Sequence, residues 1–293
     1  MKRRDFLAAS IGVAAVGASA RAIEPIRRQG RPHMRLSLAA YSFRQALDLK
    51  QQQPAMTLES FIDMAAGQPL DAVELTGYYF PETSARYLAR LKGRATRLGL
   101  DISGTAVGND FCVTNASRLK EQIASVKSWI EHTSRLGGKT LRIFAGRLER
   151  GDAELRARQS CVAAIEECCE HAAQFGVFLA LENHGGITLT PDQMLPLVRA
   201  VKSDWFGVNL DTGNFRTADP YGDLARLAPY AVNVQLKTEV ERLGKKEDAD
   251  LKRLVQMLRD VNYRGYVVLE YEAAEDAKVA VPRHLRTLRE LLA

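Results

Sequence analysis

From about residue 36 onward, short apolar runs alternate with longer stretches whose apolar residues recur every three or four positions. Eight runs read as strands, at 36–43, 71–77, 100–107, 140–146, 177–184, 206–213, 231–238 and 266–272. They are rich in Val, Ile and Leu and are apolar on both faces, as expected of a parallel sheet covered by helices. The stretches between them predict helices over roughly 57–66, 83–98, 115–136, 152–175, 190–202, 220–228, 247–260 and 277–292. Several begin with capping residues: Thr57 before Glu59, Thr83-Ser84, and Thr190-Pro191-Asp192 with proline in the first turn. Two end at glycine, at Leu98-Gly99 and Phe175-Gly176. Eight strand–helix units predict an α/β fold that closes into one (β/α)8 barrel, an architecture of ~250 residues. Neither GxGxxG nor GxxxxGK[ST] follows the first strand, which removes the usual signature of an open nucleotide-binding sheet.

The first 31 residues stand outside this rhythm and read as an export signal and linker, leaving 32–293 as a single barrel domain. Lys2-Arg3-Arg4 precedes an apolar run from Phe6 to Val16, and Ala18-Ser19-Ala20 offers a small-residue cleavage site. Arg-Arg-Asp-Phe-Leu resembles a twin-arginine signal, which implies the twin-arginine export machinery as a partner and a periplasmic or otherwise exported destination. No later stretch resembles a membrane span, so no stable insertion is expected after cleavage.

Charge follows the same division. Residues 1–31 hold seven Lys/Arg against Asp5 and Glu24, so they carry +5 of the formal +6 and the remainder is nearly neutral. A near-neutral body gives no electrostatic reason to expect a nucleic acid partner. Of four cysteines, Cys161 and Cys168 are seven apart on a predicted helix and read as buried apolar residues. An oxidising destination permits a disulfide, whereas folding before export favours free thiols.

In such a barrel the chemistry sits where strands end. The fifth run ends in Glu182-Asn183-His184, the sixth in Asp211-Thr212-Gly213-Asn214, the seventh in Gln235-Leu236-Lys237, and the eighth in Glu270-Tyr271-Glu272. Glu182, Asp211 and Glu270 would converge and repel one another, a conflict that a divalent cation resolves. The alternative for each acid is a helix cap or a nearby Lys or Arg. Of the five histidines only His184 falls at a strand end, as a candidate proton shuttle or hydroxyl ligand, with packing against a helix as the alternative. Lys237 points the same way as Gln235 in the pleat and is placed to meet a substrate oxygen. Tyr41, Glu74, Arg142 and Asn214 complete the candidate substrate site, with core packing for the aromatics and a Glu74–Arg142 ion pair as the alternatives.

These residues carry a resemblance. From about residue 36 the chain is similar to the sugar isomerase/epimerase superfamily with a xylose isomerase-like TIM barrel. That superfamily's pattern is Glu, Asp, His and Glu on strands five to eight, and it falls here on Glu182, Asp211, Gln235 and Glu270. Gln235 departs from it. The resemblance implies one divalent metal held by these four residues, and the all-oxygen set points to Mn2+ or Mg2+ rather than Zn2+. It also implies that Glu182 and Glu270 face each other across a substrate as base and acid, acting through an enediolate.

The function implied is a metal-dependent keto-sugar isomerase or epimerase acting on a small sugar or glycoside. One alternative is a 3-keto-glycoside lyase or hydrolase that cleaves by β-elimination. Another is a non-catalytic sugar-binding barrel, supported by the missing histidine. The superfamily's endonuclease branch needs several site histidines, of which only His184 is placed to help, and a basic surface, which the near-neutral body lacks. The segment 238–250 has only Gly244, so no glycine-rich phosphate cradle is evident.

The leader generates the first prediction. Replacing Arg3 and Arg4 by lysine is expected to abolish export, measured by cell fractionation. An unchanged periplasmic yield would reject the twin-arginine route.

Overall fold

The computed structural model describes residues 23–149, 151 and 153–293, so the leader expected over residues 1 to about 20 lies outside the described residues. Among the described residues eight parallel strands close a barrel. They are β1 (His33–Ala39), β2 (Ala72–Thr76), β3 (Asp101–Ala106), β4 (Thr140–Ile143), β5 (Phe178–Glu182), β6 (Phe206–Asp211), β7 (Ala231–Leu236) and, after a short hairpin of β8 (Glu239–Arg242) and β9 (Lys245–Asp248), β10 (Arg264–Leu269). Strand β10 pairs with both β7 and β1 and closes the ring.

Eight helices cover the outside: α1 (Leu58–Ala66), α2 (Ala85–Arg97), α3 (Ala116–Leu136), α4 (Glu154–Phe175), α5 (Pro191–Ala200), α6 (Pro220–Leu227), α7 (Leu251–Asp260) and α8 (Ala277–Leu292). None among the described residues is long and apolar enough to cross a membrane. The expected caps form. Thr57 and Thr190 build reciprocal capping boxes, with Ser60 and Gln193 as their partners. Ser84 accepts from the Tyr87 amide, and Gly176 ends α4 in the left-handed conformation.

Apolar side chains form two clusters. The large one lies between sheet and helices and includes Leu36, Leu38, Val73, Leu75, Leu179, Leu181, Val208 and Leu210 from the outward faces of the strands. Cys112, Cys161, Cys168 and Cys169 are all buried in this layer, and Cys161, Cys168 and Cys169 are free thiols. The small cluster, Ala39, Ala72, Tyr266 and Val268, fills the lower interior of the barrel. Above it the interior is polar, which is where the chemistry begins.

Three features depart from the sequence expectation. Residues 40–43, expected to end the first strand, form a short 3-10 turn that carries Tyr41. Residues 247 and 248, expected to open a helix, belong to β9, and α7 starts at Leu251 with Asp250 as its cap. The linker's last residues are docked under the barrel: the Ile26 amide donates to the Pro229 carbonyl at 2.9 Å, and Arg28 donates to the Ala231 carbonyl.

Barrel closure leaves no room at Gly104, which pairs with Thr140 across β3 and β4. A Cβ there would sit 2.4 Å from the Thr140 carbonyl oxygen. Gly104→Ala is therefore expected to cost roughly 1–3 kcal/mol by forcing the two strands apart. Urea denaturation checks this, and an unchanged midpoint would mean that the strands yield freely.

Candidate active site

Side chains alternate along a strand, so one face of each barrel strand points to the interior. Strand β2 contributes Glu74, β4 Arg142, β5 Glu182, β6 Asn209 and Asp211, and β7 Asn233 and Gln235; all are buried. A buried carboxylate is costly unless hydrogen-bonded or paired, and amides supply most of the donors here. Asn233 Nδ2 donates to Glu74 Oε2 at 3.3 Å and to Asn209 Oδ1 at 2.8 Å. Asn209 Nδ2 donates to Glu182 Oε2 at 2.9 Å. Gln235 Nε2 donates to Glu74 Oε1 at 2.9 Å and also to Glu270 Oε2. One continuous ladder thus joins β2, β7, β6, β5 and the residue that follows β10.

Two cations sit on top of the ladder. Arg142 Nη1 donates to the Val107 carbonyl at 2.9 Å, and its guanidinium lies 4.0 Å from the Phe144 ring centroid. Its Nε is 3.2 Å from Glu182 Oε2, close enough for an ion pair but misaligned for a hydrogen bond. Lys237, 7% exposed, places Nζ on Glu270 Oε1, 2.8 Å from Glu272 Oε2 and 3.5 Å from Asp211 Oδ2. The lysine is held from behind: its amide donates to Thr212 Oγ1 at 2.8 Å, and its stem passes close over Gly213.

These groups open on a cavity of about 180 Å3 at the C-terminal mouth of the barrel. Of the candidate residues, Tyr41, Arg142, Glu182, His184, Asn214, Lys237 and Glu270 line it. Asn214 Nδ2 reaches Glu182 Oε1 at 3.3 Å. The His184 ring stacks on Phe144 with centroids 4.2 Å apart. Glu74, Asp211 and Gln235 are buried beside it and do not line the cavity. The alternative pairing of Glu74 with Arg142 does not form, because Arg142 turns to Glu182 and Glu74 to the amides. Tyr78, Phe144 and Glu272 also line the cavity. Glu272 was legible from its spacing two residues past Glu270, whereas Tyr78 lies beyond the end of β2 and carries no strand-period signal. A larger cavity of about 690 Å3 lies at the opposite face, where the strands begin, away from the convergent acids.

Burial and charge set the carboxyl groups apart. Burial pushes Glu74 up to about 7 against the pull of its amide donors. It likewise pushes Asp211 up to about 7, with the Lys237 ammonium opposing. Glu182 is raised well above the ordinary range by burial, with Arg142 opposing. Glu270 is equally buried, but the Lys237 ammonium and the donor hydrogen bonds outweigh that burial and hold it below the ordinary range. One carboxyl favouring its acid form and one favouring its base form therefore share a cavity, the pattern of an acid–base pair. His184 is lowered by burial and by the cations nearby, which favours its neutral form.

The residues expected to hold Mn2+ or Mg2+ do not fit that ion as they stand. Both oxygens of Glu182 and of Glu270 are engaged by protein donors. Gln235 presents its NH2 rather than its oxygen to Glu270. Among the described residues no three His, Cys, Asp or Glu side chains converge on a metal position.

The chain belongs to the xylose isomerase-like TIM barrel family, whose model matches residues 62–291. A 3-dehydroshikimate dehydratase of Bacillus anthracis is 26% identical over 216 residues, covering 70% of this chain and 71% of that protein. Among solved structures, an L-ribulose 3-epimerase superposes with TM-score 0.73 at 19% identity, over 88% of this chain and 94% of its own. A 3-keto-D-glucoside 4-epimerase from E. coli superposes with TM-score 0.71 at 16% identity, over 88% and 99% of the two chains. At these identities the structural likeness speaks to the fold.

The buried Glu74 makes a prediction about stability. Its raised carboxyl stays protonated in the folded chain up to about pH 7, whereas the unfolded chain ionises it near its ordinary 4.5. Its contribution is therefore fully present below pH 4.5 and lost as pH rises to 7, by about 3 kcal/mol. Glu74→Gln removes this dependence, so the mutant should gain on the wild type by that amount between pH 4.5 and 8. Parallel urea-stability curves across that range would contradict it.

Proposed function

We propose that the chain is a sugar- or polyol-modifying enzyme that moves a proton on the carbon beside a carbonyl, isomerising or epimerising a keto-sugar. The observation that carries this reading is the pair Glu182 and Glu270, facing one small cavity, each paired with a fixed cation. Lys237 Nζ donates to the carbonyl oxygen, and Arg142 and Asn214 hold the adjacent hydroxyl. Glu270 takes the proton from the carbon between those groups. The C–H electron pair forms the C=C bond of an enediolate, whose negative oxygen rests against the ammonium. Glu182 then returns a proton, either to the opposite face of the same carbon or to the former carbonyl carbon, and in the second case the enediolate's hydroxyl proton passes to the former carbonyl oxygen as the new C=O forms. The first outcome is epimerisation and the second isomerisation. Tyr41, Tyr78 and Phe144 offer apolar walls for the sugar ring. His184, neutral and stacked on Phe144, orients a hydroxyl.

The dehydratase relative favours a second reading with the same first step. If the carbon beyond the enediolate carries a leaving group, the electrons expel it, Glu182 protonates it, and the product is an unsaturated ketone. A 3-keto-glycoside would release its aglycone in this way. Either reading suits an exported enzyme that processes scavenged glycosides.

Incubation with keto-sugars and 3-keto-glycosides in D2O, followed by mass spectrometry, tests both. Solvent deuterium is expected at the carbon beside the carbonyl, and a released aglycone would identify elimination. Glu270→Gln keeps the size of the side chain but removes the base, and should slow exchange by about 10²–10⁴-fold. His184→Ala should lose less. Exchange at the parental rate in both Glu270→Gln and Glu182→Gln would remove the two glutamates from the chemistry.

A further inference from the structure

The place where family resemblance puts a metal ion is filled by protein. Lys237 Nζ stands among Asp211, Glu270 and Glu272, and Arg142 stands against Glu182. Together they bring two positive charges, the charge of one divalent ion. Both are fixed in place: Arg142 by the Val107 carbonyl and the Phe144 ring, Lys237 by Thr212 and the floor at Gly213. An ion entering among these acids would meet the ammonium at contact distance, or strand a buried lysine without its partners.

Gln235 is consistent with this. Its NH2 bridges Glu74 and Glu270, two carboxylates that require donors. Turning the amide over would aim its oxygen at both carboxylates and lose both hydrogen bonds. The residue at the ligand position expected on the seventh barrel strand is therefore committed to bracing the acids. A histidine there would have at most one ring N–H for these two acceptors if it also bound a metal.

We propose that Lys237 and Arg142 together replace the divalent ion in this chain, neutralising the acids and receiving the substrate oxygens without a metal. The second half rests on the carbonyl-substrate reading above; the exclusion of a metal ion stands independently of it. The substitution changes what the site recognises. A metal ion draws carbonyl and hydroxyl into one chelate ring, whereas an ammonium and a guanidinium are separate donors that grip two oxygens independently.

The experiment uses the purified, EDTA-dialysed protein and MnCl2 as the probe, read by titration calorimetry and by thermal melting. The wild type should show neither binding heat nor a rise in Tm. Lys237→Met, which removes the ammonium but keeps the bulk, should acquire Mn2+ binding tighter than that of the wild type by about 100-fold, with a matching rise in Tm. Lys237→Arg should continue to exclude the ion. If Lys237→Met is unfolded without metal, its refolding by MnCl2 supports the proposal, and its failure to refold counts against it. A wild type that carries one equivalent of metal, or binds Mn2+ at micromolar concentration, would overturn it. So would a folded Lys237→Met that ignores Mn2+. A wild type that excludes Mn2+ but exchanges no proton with any keto-sugar would overturn the catalytic reading and leave the charge substitution standing.

Discussion

Glu74 is completely enclosed by the barrel, and its carboxyl group is tolerated because Asn233 and Gln235 both donate to it. That contact is the lowest rung of a ladder on which the whole mouth depends. The amide of Asn233 also holds Asn209, Asn209 holds Glu182, and Gln235 holds Glu270. The two glutamates that face the cavity are thus oriented from below by amides whose own positions are fixed by the strands. Removing one amide would leave a buried acceptor unsatisfied and loosen a side chain two strands away. The barrel interior is accordingly divided, apolar around Tyr266 and Val268 and polar above them.

The same ladder accounts for the distribution of charge. Five carboxylates, Glu74, Glu182, Asp211, Glu270 and Glu272, meet two cations near the mouth. Glu270 lies nearest the ammonium and keeps its charge, whereas Glu74 and Glu182, held mainly by neutral amides and an imperfectly aligned guanidinium, are pushed toward their protonated forms. Chemically identical side chains take different roles because the sequence puts lysine two residues past Gln235 and arginine on β4.

Most of the fold was legible in the sequence because each barrel unit leaves a local mark: a buried apolar strand, a capped amphipathic helix and a polar group at the strand's end. Period-two spacing also put Lys237 on the same side of its strand as Gln235. Spacing along one strand does not say which neighbour lies across the barrel, however. It therefore did not reveal that Arg142 chooses Glu182 over Glu74, or that Lys237 settles among the acids. Asn209 and Asn233 follow from the same period, two residues before Asp211 and Gln235, but amides draw less attention than acids. The β8–β9 hairpin was hidden because Glu239-Val240-Glu241-Arg242 and Lys245-Lys246-Glu247-Asp248 hold too few apolar residues to mark a strand. Its turn is made by Leu243 and Gly244, both at positive φ.

The docked segment that begins at Ile23 crosses the face where the strands start, beside Phe178, Phe206 and Tyr266, while the cavity opens at the other end of the barrel axis. Ile23 therefore stands on the far side of the barrel from the cavity mouth. A tether or an affinity handle placed at that face points its load away from the entrance, so the molecule can be held by its base while its mouth stays open to solution.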